Sequence, residues 1–174
     1  MPTDPDAEFA ALVQRQSRLV YKVAYAVLLN THDAEDAVQE TFLKLYRNRG
    51  WQQAESERAF LARTAWRVAV DLRPRAQRFA NAERETEVLP SLAPSPEQSV
   101  LDADGSARIH AMINALPEEL RVPLVLSAIE TFTSRDIAAA LGIPEGTVRT
   151  RLQRARLLLR QKLARLHAPE VHRG

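Results

Sequence analysis

The sequence predicts an all-α fold of two small helical domains joined by a flexible linker. Three observations lead there. Apolar residues recur at helical spacing through most of the chain, and no stretch alternates with the period of a strand. A run rich in proline, serine and acids, with Pro90, Pro94 and Pro96, separates two such helical regions. Near the C-terminus, Ala138, Gly142 and Val148 stand at the spacing of a helix-turn-helix. The boundaries read as residues 6–74 for the first domain, 75–98 for the linker and 99–167 for the second.

In chain order, Asp6 to Leu29 forms a first helical segment with a broad apolar stripe that includes Leu12, Leu19, Val20, Val23 and Val27. The run from Asn30 to Asp33 breaks it, and Asp33 is expected to cap the next helix. That helix buries Ala34, Val38, Thr41, Phe42 and Leu45, while Asp36, Gln39 and Glu40 sit on another side. Composition alone favours a solvated face with acids near a helix N-terminus, although the same three residues suit a basic partner.

Gly50 breaks the chain and Trp51 is a candidate anchor. A third helix from Ser56 or Glu57 to Leu72 has Phe60, Leu61, Thr64, Ala65, Val68 and Leu72 as its core side. Arg63, Arg67 and Arg73 lie elsewhere and alternate with Trp66. Stacking and charge on unpaired bases is one use of that pattern. A core Trp among surface arginines is an equal alternative at this point. Pro74 should stop the helix.

The second domain opens with a helix from Ser99 to Leu116, with Gly105 a candidate interruption. A helix after Pro117 follows, bent or frayed by Pro123. The helix-turn-helix starts at Thr133, with Asp136 completing a capping-box pattern. Gly142 ends its first helix in the left-handed conformation, and Pro144 opens its second. Val148, Leu152, Ala155, Leu159 and Leu163 fall on one side of that second helix at about 100° per residue. Arg149, Thr150, Gln153 and Arg154 occupy the opposite side, with Arg151 and Arg156 on the flanks. Side chains near the N-terminus of such a helix reach base edges, and flanking cations reach phosphates.

Charge distribution points the same way. The 174-residue chain has a formal net charge of only +2. Yet Arg58 to Arg78 carries arginines against Asp71 alone, and the chain from Glu145 onward is strongly basic, with an acidic stretch between Glu83 and Asp104. Two basic patches suggest two contacts with one polyanion. There is no Cys, which excludes disulfides and thiolate metal sites and fits the cytoplasm. The first residues lack the pattern of a signal peptide, and no apolar run suffices for membrane insertion. No phosphate-binding glycine loop, nucleophile elbow or zincin motif occurs. His167 and His172 have a chelating spacing, but no acid completes a site. The expectation is a protein without catalysis, metal or cofactor.

Four stretches, DAEDAVQETFLKLYR, FLARTAWRVAVDLR, LPEELRVPLVLSAIE and DIAAALGIPEGTVRTRLQRAR, occur in the order found in the extracytoplasmic-function (ECF) sigma factors of bacterial RNA polymerase, and together resemble them. The resemblance implies a transcription initiation factor with sigma region 2 and region 4 domains. It implies that Asp36, Gln39 and Glu40 dock on the clamp coiled coil of the largest subunit of core RNA polymerase. It assigns Arg58, Arg63, Trp66, Arg67 and Arg73 to the melted −10 strand of promoter DNA, and Arg149, Thr150, Arg151, Gln153, Arg154 and Arg156 to the −35 element. It also admits an anti-sigma factor as a partner. The chain departs from the family pattern at Arg67, where relatives commonly have Asn, at Thr131, where they often have Gly, and at Pro74 in a usually more basic segment. The rival reading is a conventional helix-turn-helix regulator with an N-terminal sensor domain, which would need neither the acidic helix nor the Trp/Arg helix. An adaptor that mimics these surfaces would not need a base-reading face.

Overall fold

The computed structural model describes residues 4–73, 103–128 and 132–168. The expected linker, Pro74, Thr131 and the tail beyond Ala168 lie outside the described residues, as does the start of the fourth helix. Among the described residues there are α-helices and one 3-10 turn, and no strand.

Helix α1 spans Pro5–Leu28, with the Asp4 carboxylate accepting from the backbone N–H of Asp6. Helix α2 spans Thr31–Asn48. Its cap is Asn30 and not Asp33: the Asn30 Oδ1 accepts the N–H of Asp33 at 3.0 Å. Asn at the N-cap satisfies an orphan donor at the third helical position, so the helix starts three residues earlier than the acid suggested. The turn Gly50–Gln53 buries Trp51. Helix α3 spans Glu57–Leu72 and is capped by Ser56.

In the second half, α4 spans Ala103–Asn114, α5 Glu118–Ser127, α6 Ser134–Leu141 and α7 Glu145–His167. Gly105 lies inside α4, and α5 continues through a buried Pro123. Proline at the sixth position of α5 gives up one hydrogen bond, to a first-turn carbonyl on exposed Glu119. The capping box at Thr133 forms in both directions, and Gly142 has φ +67° as the helix-turn-helix requires.

Helices α1, α2 and α3 pack on one another. The arrangement then goes beyond two separate domains. Helix α5 lies against α1, and α6 lies against α3. One core therefore runs through both halves: Leu12, Val20, Val23, Leu61 and Val68 belong to the same buried cluster as Val122, Leu126, Ile137, Val148 and Leu152. A smaller cluster of Leu116, Leu120 and Ala155 holds α7 to α5. Helix α7 outruns its support. Val148, Leu152 and Ala155 are buried as expected, Leu159 is half-buried, and Leu163 is exposed.

Candidate nucleic-acid interface

Helix α7 presents its basic face as the sequence requires. Arg149, Thr150, Gln153, Arg154 and Arg156 are exposed, while Arg151 is half-buried. Arg149 is steadied by Glu145 one turn earlier, with Nη2 to Oε1 at 2.6 Å. Thr150 donates its hydroxyl proton to the Gly146 carbonyl at 3.0 Å, which fixes its rotamer. Arg151 and Arg154 line a groove of about 510 Å³ with Glu119 and Thr147, so Arg151 reaches toward α5 as well as outward.

On α2, Asp36 and Gln39 are exposed and Glu40 is half-buried. Asp36 has His32 as a loose neighbour at 3.8 Å. Leu43, 48% exposed, extends this strip one turn further. Sequence reasoning passed it over. Its signal was its position, off the Ala34–Thr41–Leu45 stripe and three residues beyond Glu40. Tyr46 is also exposed, but its hydroxyl donates to Asp6 and its ring meets Phe9 edge-on.

The α3 residues divide. Arg67 is exposed, and Trp66 is half-buried against the core. The other three arginines turn to the second half of the molecule. The Arg58 guanidinium lies 5.5 Å from the centre of the Phe132 ring. Arg63 donates Nη1–H to the Ala139 carbonyl at 3.4 Å, a long bond. Arg73 Nη2 sits 2.5 Å from Glu118 Oε2, but neither Nη2 nor Nε has hydrogen-bond geometry. We read that contact as a charge pair.

The residue the sequence analysis missed is Arg121. It is buried, with 4% exposure. Its Nε–H donates to the Ala26 carbonyl of α1 at 2.6 Å, and its Nη1 to the carbonyls of Leu116 and Asn114 at 2.7 and 3.2 Å. Burial pulls its pKa down to about 10, against the pull of Glu118, while Arg73 pushes the same way as burial. Nearby, burial raises the pKa of Tyr25, which also meets Asn114 and Arg121. The missed signal was helical: Arg121 lies three and four residues before Leu124 and Val125, on their stripe.

Comparison with known proteins now decides the family. Residues 12–79 match Sigma-70 region 2, and residues 106–159 match Sigma-70, region 4. The chain is 33% identical to the ECF RNA polymerase sigma factor SigW of Bacillus subtilis, over 92% of this chain and 90% of that protein. It belongs to the ECF sigma factors. The ECF sigma factor SigE of Mycolicibacterium smegmatis is 35% identical over 92% of this chain, which spans 63% of the length of SigE. Among solved structures, the sigma factor RpoE in complex with the anti-sigma factor NepR from Bartonella quintana has the same fold, with a TM-score of 0.67 at 22% identity over 92% of this chain and 99% of that one. CnrH in complex with the cytosolic domain of CnrY gives 0.63 at 24% identity over 91% and 89%. An ECF sigma factor is a transcription initiation factor, and the helix-turn-helix regulator reading gives way to it. Among the described residues, no helix is long and apolar enough to cross a membrane.

Proposed function

We propose that this ECF sigma factor binds core RNA polymerase through α2, holds the melted −10 strand with α3 and reads the −35 element with α7. The observation that carries the reading is the pairing of two dissimilar polar faces on one chain. Asp36, Gln39 and Glu40 stand on a helix whose Ala34, Ala37, Phe42 and Leu45 are buried. Their carboxylates and amide suit a basic coiled coil of the largest subunit. Arg149, Thr150, Gln153 and Arg154 stand on a helix whose Val148, Leu152 and Ala155 are buried, and suit base edges in a major groove. Arg151 and Arg156 lie closer to phosphates.

On α3, Arg58, Arg63, Trp66, Arg67 and Arg73 provide cations and one aromatic surface for unpaired bases. The polymerase carries out the chemistry, and the sigma factor contributes binding and promoter choice. It works where the polymerase is, in the cytoplasm. Two of its structural neighbours are described in complex with NepR and with CnrY, and an anti-sigma factor is a partner of the same kind for this chain. The test is to mix the protein with core polymerase. Co-elution and promoter-dependent transcripts support the reading. Binding to a palindromic duplex as a dimer, with no association with polymerase, contradicts it.

A further inference from the structure

Helix α7 carries on its polar side one side chain that neither a phosphate nor a hydrogen-bonding base edge explains. Leu157 is 52% exposed. It stands three residues after Arg154, four after Gln153 and seven after Thr150. At about 100° per residue, seven residues fall roughly 20° short of two turns, so Leu157 lies in line with Thr150. The buried stripe of Val148, Leu152 and Ala155 is on the opposite side of the helix. The other large exposed apolar residues of α7, Leu163 and Leu166, continue that stripe.

A single exposed leucine is ordinary on a protein surface, and its setting decides what this one can do. Its neighbours on the same side, Gln153, Arg154, Arg160 and Gln161, are exposed and polar, so it belongs to no apolar patch there. Leu158 and Leu159 pack against the cluster of Leu116, Leu120 and Ala155, so this turn of α7 is backed by core and not frayed. At about 1.5 Å per residue, Leu157 stands roughly 10 Å beyond Thr150, about three base-pair steps further along a groove. A leucine side chain neither donates nor accepts a hydrogen bond, so it gains nothing from a phosphate or from the polar atoms of a base edge. The one apolar group that base pairs present in the major groove is the C5-methyl group of thymine.

We propose that Leu157 is a specificity-determining residue of the −35 face, packing on a thymine methyl group about three base pairs from the pair that Thr150 meets. The inference rests on the −35 assignment made above. It adds an apolar reader to a face otherwise made of hydrogen-bonding and charged groups. Contact between leucine and methyl group removes apolar surface of both from water. Loss of the methyl group leaves the hydrogen-bonding pattern of the base pair unchanged, so only an apolar neighbour registers it.

Deoxyuridine in place of thymidine removes that methyl group and nothing else. The probe is a promoter duplex selected by holoenzyme from a library randomised at the upstream block, with each thymidine of that block replaced singly. Binding of holoenzyme built from the full-length chain is titrated on this set. For the parent, at least one replacement should weaken binding about fourfold, the worth of one buried methylene. Leu157→Ala should weaken binding to the thymidine promoter by about the same factor, and should be indifferent to the sensitive replacement. Leu157→Met keeps an apolar side chain of similar size and should restore the sensitivity. Alanine and methionine form helix as readily as leucine, so α7 should stay intact in both variants.

A uracil scan without effect in the parent overturns the proposal. So does a replacement that stays equally costly in Leu157→Ala, because another group then reads the methyl. Weaker association of Leu157→Ala with core polymerase, together with an unchanged scan, makes Leu157 a protein contact and overturns it as well. The −35 assignment is tested in the same titration by Arg149→Ala. If that variant keeps the parental base preference in the upstream block, the assignment fails. If Arg149→Ala relaxes the preference while Leu157→Ala leaves the scan unchanged, only the reading of the methyl group fails.

Discussion

Arg149 leaves the first turns of α7 with its guanidinium 2.6 Å from the Glu145 carboxylate, and this pre-orientation matters for what it can read. A side chain held in one rotamer loses less entropy when it meets a base edge. Arg149→Ala and Arg154→Ala should each weaken binding to duplex −35 DNA by about 1–3 kcal/mol and relax base preference at one position. Arg160→Ala, further along the same helix, should cost less. Filter or fluorescence titration on a set of single-base variants separates base reading from phosphate contact. A uniform loss across all sequences would leave these residues as phosphate contacts only.

A second residue with a defined role is Glu57, at the start of α3. Arg15 of α1 grips its carboxylate with two N–H groups, at 3.0 and 2.6 Å, and Gln16 adds a third donor at 2.8 Å. These bonds, the one from Arg15 first, hold the Glu57 pKa below the usual glutamate value despite partial burial. A carboxylate with a depressed folded-state pKa gives stability above its unfolded pKa, and that stability is lost as pH falls through the folded value. Glu57→Gln should therefore cost about 1 kcal/mol at neutral pH, a partly exposed pair being worth no more. The difference from the parent should shrink as pH drops below the usual glutamate range. Thermal melts at several pH values check this, and a constant difference down to strongly acid pH would remove Glu57 from the account.

At the scale of elements, local chemistry explains both what the sequence disclosed and what it hid. The helix-turn-helix was legible because its signals are local. Thr133 and Asp136 bond each other reciprocally, and Gly142 takes the left-handed backbone. Gly142→Ala should destabilise the protein by about 1 kcal/mol, because an L-residue pays for that conformation. No heavy atom lies within 4 Å of an added Cβ, so the cost is backbone strain and not a clash. A chemical-denaturation midpoint equal to the parent's would contradict this.

The cap of α2 was misread because Asn30 and Asp33 are both good caps, and only their relation to the following turn separates them. Leu163 was expected in the core because its register is right, but α7 continues past the helices that could cover it. For α2 as an element, Asp36→Ala, Gln39→Ala and Glu40→Ala together should weaken association with core polymerase and leave helicity unchanged, since none of the three is buried. Adding Leu43→Ala should weaken it further. Normal holoenzyme assembly by the triple variant, measured by competition, would remove α2 from the docking site.

At the scale of the whole molecule, the family and the two helical halves were legible, and their union was not. The contacts that join the halves, Arg121 to Ala26 and Arg63 to Ala139, connect residues far apart in sequence, and no periodic pattern records them. An arginine within an apolar run is the trace that such a contact leaves. The exposed polar faces of α2 and α7 were readable because each needs only a helix with one buried side. Those on α3 were harder, since which arginines are free depends on where α5 and α6 lie.

In the proposed function, two separate faces of this chain give core polymerase its promoter choice. The direct measurement is transcription by core polymerase plus this protein on a promoter library randomised at both elements, with transcripts sequenced. The predicted result is selection of two blocks at fixed spacing. Arg149→Ala should relax only the upstream block. Arg67→Asn, at an exposed position of α3, should change only the downstream block. Transcripts that show one symmetric block, or selection that both variants leave untouched, would contradict the claim.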